Sequence, residues 1–283
     1  MKGFFYYLAV FMLGISCLCE TGCSENKPGE DKDKEQEELK MVKKLTIDNY
    51  DGEERSEIAI SRQSNRIDGI TWKVSPLGTE GEWEPFTIRF AVAQVKGRPV
   101  VTFKDEEGVL NTVTYTLDEK GIVTAAVWEL QGYEERAVTW TFFNQTQCNV
   151  LGRLVMEIPG QGKDEVFQAV CDADGNWTSV LDYACKPGSI RNTASVNLNL
   201  LGMGLVDIEN PVLSVAVLCG WVTVNPLVIE SISGEEEDDE GQITRMTFIF
   251  NPQVTADRIS SLKVKIKLED DSEMDYLSAT LGY

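Results

Sequence analysis

Histidine does not occur anywhere in the 283 residues, and that one gap closes much of the catalytic repertoire. Without an imidazole there is no Ser-His-Asp or Cys-His nucleophile, no histidine general base and no histidine-ligated zinc, copper or haem. Carboxylate-only catalysis and carboxylate-bound calcium are the chemistries left. Positive charge is also scarce: Lys+Arg 26 stand against Asp+Glu 46, a formal net charge of -20. A polyanion is repelled at long range, so nucleic acid is excluded as a partner. A solvated acidic surface keeps an exported protein in solution. No apolar run approaches the ~20 residues that a membrane-spanning helix needs; neither Phe4 to Ile15 nor the stretch between Pro211 and Pro226 is long enough. Four cysteines, Cys148, Cys171, Cys185 and Cys219, fall in the main body, none in a CxxC pair. Export permits disulfides, and three connectivities are open if all four pair. Apolar, strand-like neighbours ("AVCDADG", "VLCGW") favour free thiols acting as small hydrophobes. No cofactor is expected.

What is present begins with a leader. Lys2 supplies a positive N-terminus, and the uncharged stretch after it has the length of a signal-peptide core. "LGISC" resembles the bacterial lipobox, in which a small residue precedes the cysteine that is diacylglycerated and becomes the new N-terminus. Cys17 is therefore the expected anchor. Cys23 also follows a small residue, Gly22, but Glu20 would carry a charge into an intramembrane cleavage site. Glycine stands at position 14 where leucine is usual, so ordinary cleavage and secretion is the competing reading. Residues 1–16 are read as the signal peptide, 17–40 as the lipidated cysteine and an acidic tether, and 41–283 as one all-β domain. The tether, "SENKPGEDKDKEQEE", has no aromatic or β-branched residue with which to offset its ordering entropy.

From about residue 43 onward, apolar and polar residues alternate with period two, punctuated by Gly, Asp and Pro. In "VLNTVTYTLDEKGIVTAAVW" Val113, Tyr115 and Leu117 point one way and Thr112, Thr114 and Thr116 the other. "DEKG" then turns the chain, with Gly121 supplying the positive φ. "DEEG" at Asp105–Gly108 and "DADG" at Asp172–Gly175 repeat the pattern, which predicts a meander of antiparallel hairpins. "ASVNLNL" reads as one more strand. The polar segment from "KLTIDNY" to "NRIDG" reads as the first hairpin of the same sheet. One segment breaks the rhythm: "NPVLSVAVLCGW", Asn210 to Trp221, opens with an N-cap Asn and Pro at the first helical position and meets a stop at Gly220. A short buried helix or irregular plug near 210–221 is predicted, although its valines suit a central strand as well.

Lipobox, acidic tether, hairpins built on "YTLDEKGIVTAAV", then "ASVNLNLLGMGLV", an apolar excursion and a closing "ITRMTFIFNPQV": in this order the chain resembles an uncharacterised family of Bacteroides-type lipoproteins with a porin-like fold. The resemblance covers most of the chain after about residue 65 and implies a long meander curling into a barrel or half-barrel, in the cell envelope. It implies no activity and lends no catalytic residue. The turn "DADG" departs from the family's aromatic-x-Asp-x-x-Gly form, with no aromatic residue before it.

The remaining chemistry is sparse. Asp172 and Asp174 put two carboxylates on one tight turn, but Asn176 and Trp177 do not continue it as a calcium loop, so a plain hairpin turn is the better reading. "GEEEDDEG" reads as a solvated loop. Among the tryptophans, Trp128 and Trp140 sit in alternating strands and read as interior. Trp83, within "GTEGEWEPF", is the candidate platform for a sugar ring. The expectation is a non-catalytic outer-membrane lipoprotein, facing the cell surface or the periplasm, whose membrane contact is its lipid and whose ligand is a glycan or another envelope component. Two alternatives are kept: a structural or assembly component that takes a protein partner by strand addition at a sheet edge, and a carboxylate-dependent glycosidase.

Overall fold

The structure, a computed structural model, describes residues 39–63, 66–77, 84–132, 137–145, 150–237 and 243–283. Sixteen antiparallel strands follow one another around a closed barrel, each hydrogen-bonded to its neighbours in sequence, with the last strand pairing back onto the first. The wall runs β1 (Lys44–Asn49), β2 (Glu54–Gln63), β3 (Arg66–Pro76), β4 (Phe86–Val95), β5 (Arg98–Lys104), β6 (Leu110–Leu117), β7 (Val123–Leu130) and β8 (Val138–Asn144). It continues through β9 (Leu151–Ile158), β10 (Gly162–Cys171), β11 (Trp177–Val180), β12 (Tyr183–Arg191), β13 (Leu227–Glu237), β14 (Ile243–Thr255), β15 (Arg258–Leu268) and β16 (Glu273–Gly282). The hairpin turns form where the sequence places them, with Gly108, Gly121 and Gly175 at φ +81°, +81° and +88°. Because every strand has two neighbours, the described sheet has no free edge. A strand added at an open sheet edge would need a row of unpaired N–H and C=O groups, and ring closure pairs β1 with β16 where such an edge would otherwise lie.

Alternation sorts the wall into two faces of opposite chemistry. Inward residues are apolar and buried: Ile58 and Ile60 on β2, Ile70, Trp72 and Val74 on β3, Val113 and Tyr115 on β6, Leu262, Val264 and Ile266 on β15. Outward residues are charged and pair across the strands, Arg55 with Asp48 at 2.6 Å, Lys73 with Glu57 at 3.2 Å, Lys163 with Glu157 at 3.3 Å, and Lys186 with Glu230. A membrane-spanning barrel has the reverse arrangement, an apolar outer band around a polar lumen. Lys73 and Glu57 lie mid-strand and half-exposed. In a bilayer each such cation at the midplane would cost about 2–4 kcal/mol. The outer wall is thus matched to water.

A barrel of this strand number encloses room for a channel, and the connection between β12 and β13, residues 192–226, fills it. It carries two helices, α1 (Leu198–Gly202) and α2 (Pro211–Leu218), buried throughout. α2 bears out the predicted signals: the Asn210 side chain accepts the Leu213 N–H at 3.3 Å, Pro211 opens the helix, and Gly220 at φ +72° follows its end. α1 corrects the reading of "ASVNLNL" as a strand. Residues 196–201 are buried on every side rather than on alternate sides, and the Asn197 side chain caps the Asn199 and Leu200 N–H groups.

The plug is held by polar pins as well as packing. Four buried asparagines, Asn192, Asn197, Asn199 and Asn225, each find partners. Asn199 donates to the Leu227 carbonyl at 3.1 Å and accepts the Ile229 N–H at 2.9 Å, tying α1 to β13. Asn197 donates to Thr223 O and Asn225 Oδ1, and Asn225 donates to Gly175 O at 3.1 Å. From the wall, buried Tyr115 donates its hydroxyl to Val212 O at 2.9 Å and packs its ring on Trp221, 4.8 Å between centroids.

The two ends of the barrel differ. At the plug end, residues 39–42 come in beside the start of the connection: Lys40 bridges Ala194, and the Val42 N–H donates to Ser195 Oγ. The β2–β3, β4–β5, β6–β7, β10–β11 and β14–β15 turns lie at this end. The far end carries the β1–β2, β5–β6, β11–β12 and β15–β16 turns, where exposed acids such as Asp51, Glu106, Glu107, Asp182, Asp270 and Asp271 collect.

Candidate functional site

A groove of about 560 Å³ lies on the outer wall over β14, β15 and β16. Register shifts after Gln253 on β14 and after Val264 on β15 bend these strands. Outward side chains at alternate positions line the hollow: Asn251 and Gln253 from β14, Ser261, Lys263 and Lys265 from β15, Ser278 and Thr280 from β16. Strand register sets them in rows, Asn251 opposite Lys263 opposite Ser278, and Gln253 opposite Ser261 opposite Thr280. Lys263 pairs with Asp275 and Lys265 with Glu273, both at 2.8 Å. The hydrogen bond from Lys265 holds the Glu273 carboxyl below its ordinary range and raises Lys265 in turn. Amides, hydroxyls and ion-paired groups in parallel rows donate and accept hydrogen bonds. They hold no activated nucleophile, and an ionised Glu273 is the wrong state for a general acid.

Tyr50 stands at the groove's edge, its ring exposed and its hydroxyl 3.4 Å from Ser278 Oγ. The sequence reading missed it, because "DNYDGEE" reads as a polar turn and nothing local says that β1 closes against β16. Trp83, the sequence's candidate platform, lies outside the described residues, as do Cys17, Cys23 and Cys148. Trp140 is buried in the wall, and Trp128 is half-buried with its indole N–H on Asn111 Oδ1 at 2.9 Å, both as interior residues.

Asp172 and Asp174 sit in the β10–β11 turn. Burial pushes the Asp172 carboxyl up, but N–H groups of Asn176 and Asp174 donate to it, each at 2.9 Å, and the balance leaves it below its ordinary value. An oxygen so occupied by its own turn is a structural cap, the hairpin reading of "DADG". Among the described residues no three metal-ligating side chains converge. Cys185 and Cys219 are free thiols, and burial pushes Cys185 up to about 12, which leaves it a poor nucleophile.

A second feature lies at the acidic end, where the plug tip meets the wall. Met203 and Leu205 face Val166, Leu181, Tyr183 and Phe248 across an apolar crevice of about 50 Å³. At the same end burial raises the Glu54 carboxyl to about 7, helped by the neighbouring Asp207 and Glu209. Burial raises Asp207 and Glu209 as well. All three carboxyls are raised by burial together, which favours their neutral forms.

No family model matches the sequence, and no curated relative matches it. Among solved structures, a porin-like protein from Bacteroides uniformis ATCC 8492 superposes with a TM-score of 0.61 at 16% identity, covering 85% of this chain and 98% of that one. A porin-like protein from Bacteroides vulgatus ATCC 8482 gives a TM-score of 0.42 at 11% identity, covering 86% and 98%. The first likeness places the chain in a porin-like β-barrel fold, here with its lumen filled and its charges outside.

Proposed function

We propose that the protein is a non-catalytic binding module of the cell envelope, held by an acylated Cys17, with the β14–β16 groove as its ligand face and a polyhydroxylated ligand, a glycan, as its ligand class. The rows of Asn251, Gln253, Ser261, Lys263, Ser278 and Thr280 in one concave surface carry this reading. Sugars present closely spaced hydroxyls, each a donor and an acceptor, and a wall of amides and hydroxyls answers both. Tyr50 at the edge supplies an aromatic face on which a sugar ring can stack. The plugged lumen argues for a scaffold in place of a channel. The Bacteroides origin of the structural neighbour and the "LGISC" lipobox support an envelope address.

Calorimetric titration of residues 39–283 with a panel of envelope and dietary polysaccharides tests the ligand. Binding that weakens at least tenfold in both Asn251→Ala and Tyr50→Ala supports the groove. A ligand whose affinity neither change moves refutes it. The anchor is tested separately: a Cys17→Ala precursor that still migrates as acylated and stays with membranes refutes lipidation at Cys17.

A further inference from the structure

We infer that the plug end of the barrel docks end-on against an anionic lipid surface. Three observations made on different grounds meet at that end. The first is the chain's path: Leu39 lies beside the plug, so residues 1–38 join the barrel there and not at the acidic end. The second is apolar exposure. Of the large hydrophobic residues exposed among the described residues, Leu39, Met41, Val95, Phe143, Val170 and Val254 lie at or next to the plug-end rim. They come from the segment before β1 and from the last turns of β4, β8, β10 and β14, so they are spread around the circumference. Only Tyr50 and Met274 belong to the other end. Scattered exposed side chains are ordinary; a ring of them at one end of a wall otherwise faced with charges is not.

The third is charge. Exposed Lys43, Arg66, Lys96, Arg98, Lys120 and Arg258 lie on the same rim, against Asp68, Glu119, Asp174 and Asp257. Among the described residues, the exposed turn acids Asp51, Glu106, Glu107, Asp182, Asp270 and Asp271 lie at the opposite end. Strands of up to 13 residues separate the ends, and even tilted strands of that length hold them more than a Debye length of about 8 Å apart. An anionic surface at the plug end therefore feels the local bases, while the distant acids are screened. Cations beside apolar side chains are what a headgroup layer accepts, the apolar groups entering the boundary and the bases meeting phosphate. The contact leaves the side-wall groove open, and it points the acidic end away from the membrane. The direction agrees with the proposed lipid anchor, but the rim's composition does not depend on it.

Residues 39–283 carry every described strand, both helices and the buried core, so this unacylated barrel is the material for the test. Flotation with phosphatidylcholine vesicles, with and without phosphatidylglycerol, is read at low and high salt. Binding to the anionic vesicles alone, weakening as salt rises, is expected. Each rim base is worth roughly fivefold in affinity, so a doubly reversed Arg66→Glu/Arg98→Glu variant binds at least tenfold more weakly, while Lys73→Glu on the mid-wall binds as the parent does. Val95→Ser and Val254→Ser lower retention without changing the salt dependence. Absence of binding at low salt, equal binding to both vesicles, or indifference to the double reversal overturns the inference. None of these outcomes bears on glycan binding in the groove or on acylation of Cys17.

Discussion

Glu54 offers the sharpest test of how the plug tip sits in the barrel. Its carboxyl, ordinarily near 4.5, is raised to about 7 by burial first and by Asp207 and Glu209 next. An acid whose folded pKa is raised binds its proton more tightly in the folded state. Between about 4.5 and 7 the folded chain therefore holds more proton than the unfolded one, and stability falls as pH rises through that window. Below it both states are protonated and there is no penalty; above it both are ionised and the penalty is complete. At face value the difference is worth about 3 kcal/mol. Glu54 is partly exposed, so screening reduces this to about 1–2 kcal/mol. Glu54→Gln keeps the shape and removes the charge. Near pH 8 it raises Tm by about 2–6 °C, and near pH 4 it leaves Tm where it was. Calorimetric melts of parent and variant across that range check the claim. A lower Tm for the variant at pH 8, or the same displacement at pH 4 and pH 8, would mean that Glu54 does not face the plug's carboxylates and that the tip lies elsewhere.

The other predictions probe the plug and the wall. Asn199→Leu strands the Leu227 carbonyl and the Ile229 N–H in the core, a loss of about 2–4 kcal/mol seen as a lower denaturation midpoint. Tyr115→Phe removes only the bond to Val212 O and costs about 1 kcal/mol, so the two variants rank in that order in the same urea titration. Gly234→Ala places a methyl 1.8 Å from the Tyr183 ring, which must swing off the sheet; a loss of about 1–3 kcal/mol and a changed tyrosine near-UV signal are expected. Cys185, with its thiol raised to about 12 by burial, reacts with an aromatic disulfide reagent far more slowly in the native protein than in guanidinium.

How much of this was legible in sequence follows from the range of the forces involved. Turns are local: "DEKG" needs only a glycine at positive φ, and Gly121 has it. The α2 boundaries are local too, because Asn210, Pro211 and Gly220 act within one helical turn of themselves. α1 was misread because Val196, Leu198 and Leu200 alternate with asparagines, the pattern of a half-buried strand. The asparagines at 197 and 199 face inward as well, paired with Thr223, Leu227 and Ile229 a long way along the chain. No local window shows those partners. The groove was invisible for a similar reason. "LKVKIKL" plainly alternates, but a concavity is made by three strands and two register shifts, and Tyr50 reaches it only because β1 and β16 close the barrel.

Closure also settles which way the alternation points. In an open sheet of this composition the apolar face would need a cover from elsewhere in the chain, while the charged face could stay in water. Curling puts one face of every strand inside, and the interior must then be either wet or filled. Ile58, Trp72, Tyr115 and Val264 give the lumen a largely apolar lining, with Ser56 and Asn111 already bonded to Trp72 and Trp128, and the 192–226 connection fills it. Its own polar backbone can do so only with the asparagine pins that satisfy it. The acidic outer wall, the apolar lumen and the plug are one solution to one constraint. The free choices left to the chain are at the rims and in the groove, which is where the proposed contacts with glycan and lipid are placed.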